Sequence, residues 1–569
     1  MDKPVVVVGG GPAGSTAALC LRRLGREVVL LEREEFPRYR IGESLLPGTL
    51  SILHRLELMD RVKAADFPIK RAATFLWGNN HRPWSFTFNT PDTAPWVYGY
   101  SYQVTRAEYD KILLDAAVER GADVRIGVSV TGVDGGIDGE PAVVHWKNGS
   151  SSGSIEASYV FDASGSAGVI AKKLDVRKYD PYYKNLATWS YYKGGKRYKG
   201  DLDGNIFSVS FKDGWMWIIP LKDDTYSVGV VTGTEKAARM KEVGPEAFFE
   251  ESVESCEFAR DLLADAERTE DVRVVRDWAY SADEFARGKF FLCGDSGAFI
   301  DPLFSQGVHL ATLSAMNAAA AVDHLLDNPD EADHVIDWYN GTYQEAYDRY
   351  HRFLSAFYAN CNEEDSEFWD NRRLAAGGDH RFEGRDWYKG LAGQDSSNEE
   401  AIAMVQESAD ILTELWDHGS ETLTDEFDET QLSLRRVRWF AEVVKLFRTM
   451  TTMKWTGDEV RLMPSFRVGR HDFKLAVEHY LGNAEGEFEA VQPTTEEHRA
   501  IFASLAENPM SYTELTKALR SIDGRQAAVR LVHRLVESGH LKGYDADGNQ
   551  VRPPAPPRFG GVGHDDDLS

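Results

Sequence analysis

Short unbroken apolar runs that end in small residues punctuate the first half of the chain. Val5–Val8 runs into Gly9-Gly10-Gly11-Pro12-Ala13-Gly14, and after an Ala/Leu-rich stretch a second apolar run closes on Glu32. That order predicts strand, glycine turn, helix and strand, one βαβ unit. Tyr159-Val160-Phe161 before Asp162-Ala163-Ser164-Gly165 repeats the strand-then-small-residue turn. Phe290-Phe291-Leu292-Cys293 ending in Gly294-Asp295 predicts another buried strand, followed by an Ala-rich helix over Val308–Leu326. From Leu186 to Gly233 the pattern is that of strands, and alternation puts Trp215, Trp217 and Ile219 on one face. Trp84–Tyr102 is aromatic and β-prone, which suits one wall of a sheet-based substrate domain. Helical spacing governs Ala107–Arg120 and Trp338–Tyr358, where Tyr339, Tyr343, Tyr347, Tyr350, Leu354 and Phe357 share one side. Asn362–Asp428 is acidic and weakly periodic, and an amphipathic helix is predicted over Leu432–Thr451.

Pro493 reads as a linker into a small last domain. Three helices are predicted there: Thr495–Ala506, one opened by the capping box Ser511-Tyr512-Thr513-Glu514, and Arg525–Ser538. Leu541–Tyr544 and Gln550–Val551 flank a turn at Asp547-Gly548, which completes a winged-helix outline. Arg525, Arg530 and Arg534 alternate with apolar residues and make no clear basic face, so a protein-docking or lid role fits better than DNA binding.

Charge and composition narrow the function classes. Asp plus Glu (91) exceed Lys plus Arg (64), and the net charge of −27 argues against bulk attraction to nucleic acid or an anionic membrane. With 42% hydrophobic residues over 569, three or four globular domains are expected. No signal peptide or membrane-spanning run is apparent, so a cytoplasmic location is expected. Cys20, Cys256, Cys293 and Cys361 have neither metal-ligand nor disulfide-framework spacing and read as reduced thiols, with no metal site.

The glycine turn points to a dinucleotide. Its glycines admit a pyrophosphate to the backbone, the helix start supplies N–H donors, and Glu32 suits a ribose hydroxyl. Two glycine turns far apart, with Gly294-Asp295 between strand and helix, favour FAD over NAD, because one extended dinucleotide needs several loops around it. Asp295 reads equally as a ribityl ligand or an N-cap, and Arg106 as a flavin or phosphate contact or a helix-start ion pair. Arg40 lies in a Pro/Gly-punctuated loop with the chemistry of a segment that either covers a ligand or makes an ordered crossover. Lys70, just before an apolar stretch, reads by composition as a solvated edge charge.

Taken together, Gly9–Gly14, Gly42-Glu43-Ser44-Leu45-Leu46-Pro47, Trp215-Met216-Trp217-Ile218-Ile219-Pro220, Gly294-Asp295 and Pro302–Gly307 resemble the flavin-dependent halogenases, nearest the chloramphenicol-type branch. The Trp-x-Trp-x-Ile-Pro element is the specific one. The resemblance implies an α/β fold of the FAD-binding, hydroxylase type: FAD-binding residues 1–74, 106–185 and 272–330, a substrate sheet from 75–105 and 186–271, a helical region 331–492 and a winged-helix-like domain 493–569. It implies reduced FAD from a separate flavin reductase, with O2 and chloride giving hypochlorous acid. Cofactor contacts fall on Gly9, Gly11, Ala13, Gly14, Glu32, Arg40, Ser44, Arg106, Gly294, Asp295 and Gly307, and the halide on Phe304, Ser305, Gln306 and Gly307. Trp215 and Trp217 would separate flavin from substrate, Lys70 and Tyr350 would be catalytic, and Asp277 would esterify the flavin. Lys70 would act as a hydrogen-bonding ammonium or as a chloramine, and both stay open. The substrate implied is an acyl group on a carrier protein, in antibiotic or other secondary-metabolite biosynthesis. A phenol or pyrrole halogenase and a flavin aromatic hydroxylase are the alternatives.

Overall fold

The computed structural model describes residues 3–78, 82–88, 96–137, 139–276, 278–359, 361, 366–376, 443, 445–457, 459–469, 472–483 and 493–552. Asp277, part of Asn362–Asp428 and most of the helix predicted over Leu432–Thr451 lie outside them. The chain divides into two compact units, residues 1–396 with 468–475, and residues 397–467 with 476–569.

The first unit is built on a six-stranded sheet in the order Ala286–Arg287, Phe290–Leu292, Val160–Asp162, Val5–Val8, Val28–Glu32, Asp123–Ile126. All neighbours are parallel except the first pair, and Val6 pairs with both Val160 and Val29. The central strands are buried along their whole length, which is why they are written as continuous apolar runs. Helix Pro12–Arg23 leaves the glycine turn with proline at its start, and it packs on helix Gly307–Asp327. Gly9 has φ +107°, and a Cβ there would lie 2.4 Å from the Ala163 carbonyl oxygen. One on Gly14 would lie 1.9 Å from Gly9 O, so the turn tolerates no side chain at either place.

An eight-stranded sheet carries the Trp-x-Trp strand at its centre. Its path runs Glu267–Arg268, Asn185–Lys193, Thr225–Gly233, Gly214–Pro220, Ile206–Phe211, Ala72–Leu76, Trp84–Thr87, with Arg273–Arg276 also pairing Asn185–Lys193. Two expected boundaries therefore move: residues 72–74 and 273–276 are sheet strands rather than parts of the FAD-binding segments. Met216 and Ile218 face a core with Phe249, Val253 and Leu262, while Trp215 and Trp217 point to the other face, as period two requires. Gly229 makes room for Trp217, since a Cβ there would sit 2.0 Å from the indole.

Helix Ala332–Ala359 buries the whole predicted aromatic stripe. The stripe has polar tips as well: Tyr339 OH donates to Leu292 O and Tyr343 OH to Gly294 O, both at 2.8 Å, which ties this helix to the Gly-Asp strand end.

In the second unit the three helices are Glu496–Ser504, Tyr512–Asp523 and Arg525–Glu537. The capping box forms, Ser511 N–H donating to Glu514 Oε2 at 2.9 Å and Glu514 N–H to Ser511 Oγ at 3.3 Å. The hairpin Leu541–Tyr544 with Gln550–Val551 gains a third strand, Thr452–Trp455. This corrects the boundary at Pro493, because residues assigned to a helical region supply a strand to the last unit, and Val443, Phe447 and Met453 join its core. Arg461–Val468 and Leu475–Gly482, also assigned to the helical region, are paired strands. Among the described residues no helix is long and apolar enough to cross a membrane, and no group of side chains is placed to hold a metal.

Candidate active site

The glycine turn and Gly294-Asp295, 280 residues apart in sequence, come together. A Cβ on Gly294 would lie 2.9 Å from Ala311 Cβ and 3.5 Å from that of Ala13. Glu32 is held across the turn, Oε2 accepting Gly10 N–H at 2.7 Å and Oε1 accepting Glu34 N–H at 2.8 Å. Over Gly11 the space is open: among the described residues an added Cβ would meet within 4 Å only Arg38 Nη2, at 3.3 Å.

Arg38, rather than Arg40, is the arginine beside the turn. Arg40 instead forms a two-pronged pair with Glu34, at 2.9 and 2.5 Å, with its side chain partly exposed. Arg38 is buried and donates to Asp110 Oδ2 at 2.9 Å. Arg106 grips both oxygens of the same carboxylate, at 2.8 and 3.0 Å, so the helix-start ion pair is formed. Two guanidinium groups thus share one carboxylate and leave positive charge beside an open glycine turn.

Asp295 sits in the turn Gly294–Ser296, where Gly294 has φ +62°. Burial lifts its carboxyl to about 6, opposed by Arg106 and Arg177. The N-cap alternative goes to Asp301, whose Oδ1 accepts Leu303 N–H at 3.1 Å. Ser44 is buried with its hydroxyl unpartnered among the described residues. An open cradle, surplus guanidinium charge, a half-buried carboxylate and a buried hydroxyl without a partner together fit FAD.

Lys70 is fully buried, contrary to the reading of an edge charge. It pairs with Ser101 in the short antiparallel ladder of Ile69–Lys70 with Ser101–Tyr102, and Asn205 Oδ1 fixes the next backbone by accepting from Arg71 and Ala72 N–H. Its Nζ donates to Leu45 O at 3.0 Å and reaches Ser305 Oγ at 3.5 Å, with the Phe88 ring centre at 5.4 Å. Among the described residues no carboxylate pairs with it, and burial alone pulls the ammonium down to about 7. Structure therefore joins three sequence elements: Lys70, the Gly42–Pro47 loop and the Pro302–Gly307 turn.

Ser305 adopts the left-handed region at φ +59° and its N–H is taken by Pro302 O at 3.0 Å. Gly307 opens helix Gly307–Asp327, so its N–H and those of the rest of the first turn lack intrahelical acceptors. Gln306 is buried, its Nε2 donating to Asp301 O at 2.5 Å. Phe304 is buried among Phe75, Phe353 and Phe357. Tyr350 is buried on the inward face of its helix, and burial raises its hydroxyl pKa.

Sequence reasoning passed over Glu43, although the loop carrying it was singled out. Glu43 is 2% exposed, burial raises its pKa, and Tyr191 OH donates to it at 2.5 Å. Ser227 Oγ lies 3.5 Å from its other oxygen and receives Trp217 Nε1–H at 3.3 Å. Asp110 was also missed, although its spacing four residues after Arg106 on a helix is a readable signal.

A family model described as tryptophan halogenase matches residues 4–98 and 89–402. The chain belongs to this family of flavin-dependent halogenases. A second family model, the chloramphenicol halogenase CmlS C-terminal domain, matches residues 439–553, which agrees with a last unit that starts upstream of Pro493. The crystal structure of CmlS, a flavin-dependent halogenase, is 43% identical with a TM-score of 0.71 and covers 99% of this chain and 100% of its own. The myxobacterial chondrochloren halogenase CndH is 36% identical with a TM-score of 0.62, over 70% of this chain and 91% of its own. The tryptophan 2-halogenase of Chondromyces crocatus is 37% identical over 377 residues, 65% of this chain and 70% of its own. This halogenase is therefore an oxidoreductase-type enzyme with an FAD site.

Proposed function

We propose that this halogenase is a chlorinase that uses O2 and chloride to make hypochlorous acid, which Lys70 directs to an activated carbon of a carrier-protein-tethered acyl substrate in antibiotic biosynthesis. Reduced FAD, delivered by a separate flavin reductase, supplies the chemistry that oxidises the halide. Gly9, Gly11, Ala13 and Gly14 would hold its pyrophosphate, Glu32 a ribose, and Ser44, Arg106 and Asp295 the flavin half. Asp277 is the proposed covalent anchor: acid-precipitated protein would stay yellow, and the Asp277→Ala protein would not.

Chloride belongs at the start of helix Gly307–Asp327, where first-turn N–H groups and the helix dipole favour an anion. Phe304, packed among aromatic rings, keeps water from that side. The bulk of Trp215 and Trp217 holds the organic substrate away from the flavin, so the oxidant must travel to it.

The buried, carboxylate-free amine of Lys70 is the observation that carries this reading. Its position 3.5 Å from Ser305 Oγ puts it where hypochlorous acid would leave the halide turn. As an ammonium, Nζ donates a hydrogen bond to the acid's oxygen. As a neutral amine it attacks chlorine: an N–Cl bond forms, the O–Cl bond breaks, and the lost N–H proton leaves with hydroxide as water. Tyr350 would orient the substrate carbonyl or enol.

Lys70→Ala tests the proposal. Chlorinated product should vanish while flavin binding and oxygen consumption persist, and product formed by the variant would remove Lys70 from the mechanism.

A further inference from the structure

The Trp-x-Trp strand carries hydrogen bonds that steric separation does not require. Trp215 is fully buried, and its indole N–H donates to Tyr358 OH at 2.5 Å. Tyr358, also fully buried, stands close enough to Asp301 for its hydroxyl to favour the ionised carboxylate. Asp301 controls the next turn from both ends. Its Oδ1 accepts Leu303 N–H at 3.1 Å, its Oδ2 accepts Asn185 Nδ2 at 3.1 Å, and its main-chain oxygen accepts Gln306 Nε2 at 2.5 Å. Arg372, which bonds Asn185 Oδ1, adds positive charge near the same carboxylate.

The turn capped in this way, Pro302–Phe304, ends on Ser305 at φ +59°. A left-handed serine is an uncommon conformation that persists only where its surroundings hold it. Ser305 Oγ lies 3.5 Å from Lys70 Nζ. One line of polar contacts therefore runs from an indole in the central sheet, through a tyrosine of helix Ala332–Ala359, to the carboxylate that caps the turn before helix Gly307–Asp327.

We propose that Trp215 is a positioning residue for the halide: its N–H orients Tyr358 and Asp301, and through them the Phe304–Gly307 segment. Bulk and hydrogen bonding are then separate contributions of the same side chain. The inference rests on the proposed halide site.

Tyr358→Phe removes the middle hydroxyl at nearly constant volume, and Trp215→Phe removes the N–H. Chloride is titrated into the oxidised, FAD-loaded holoenzyme and binding is read from the flavin difference spectrum, with turnover measured separately. Each single variant should weaken chloride binding about tenfold and raise the chloride KM in step, and in Tyr358→Phe, which leaves the bulk of Trp215 in place, kcat at saturating chloride should be little changed. The double variant should be no weaker than the singles, because both interrupt one line. Wild-type affinity in Tyr358→Phe, or an additive loss of about a hundredfold in the double variant, overturns the inference alone. A wild-type holoenzyme that shows no chloride binding removes the halide site and this inference with it. If Trp215→Phe fails to retain flavin, Tyr358→Phe alone decides.

Discussion

Lys70→Met should stabilise the protein, by an amount that depends on pH. Methionine matches the length of the lysine stem and is apolar, and the site it enters is fully buried. The ammonium it replaces has one carbonyl at 3.0 Å, one hydroxyl at 3.5 Å and an aromatic face, far less than water offers. Burial takes this pKa from 10.5 to about 7. At ~1.4 kcal/mol per pH unit the difference is at most ~5 kcal/mol, and relaxation around the cation brings it to roughly 2–4 kcal/mol. The sign follows from proton binding. Between about 7 and 10.5 the unfolded chain holds the lysine proton and the folded one does not, so the wild type gains stability as pH rises through that window. Below it the full penalty applies. Denaturant titrations of both proteins should therefore show the methionine variant ahead at slightly acidic pH, with the gap closing towards the unfolded lysine pKa. A pH-independent gap, or a wild type that is the more stable protein in acid, refutes the reasoning. The same titration separates the two roles of the amine: product formation that rises through about pH 7 requires neutral Nζ, and a fall requires the ammonium.

Three further outcomes follow from close contacts. Gly229→Ala would drive a Cβ to 2.0 Å from the Trp217 indole, and a loss of ~1–3 kcal/mol, read as a lower Tm, is expected. Gly9→Ala combines φ +107° with a 2.4 Å clash on Ala163 O, so the purified protein should be colourless. Glu43→Gln keeps an acceptor for Tyr191 while removing a buried carboxyl whose pKa is raised by burial. A raised carboxyl loses stability as pH climbs past the unfolded value, so the glutamine protein should be the more stable by ~1–2 kcal/mol at neutral pH in a denaturant titration.

Features that depend on a few consecutive residues were legible in the sequence. The glycine turn, the Ser511–Glu514 capping box, the shared face of Trp215 and Trp217 and the tyrosine stripe follow from local sterics, hydrogen bonding and periodicity, and each appears where it was expected. Lys70 shows the other case, since no local pattern tells a solvated lysine before a strand from a sealed one. Its environment comes from Leu45, Ser101 and Ser305, the last 235 residues away.

Tertiary structure likewise decided that Arg38 and not Arg40 stands beside the glycine turn, because Glu34 captures one and Asp110 the other. It decided that Asp301 rather than Asp295 caps a turn, and that Thr452–Trp455 completes a sheet whose other strands lie some ninety residues on. Local geometry is written within one or two turns of chain. Burial and charge pairing are settled only when distant segments meet, and the proposed chemistry of this halogenase depends on that second kind of information.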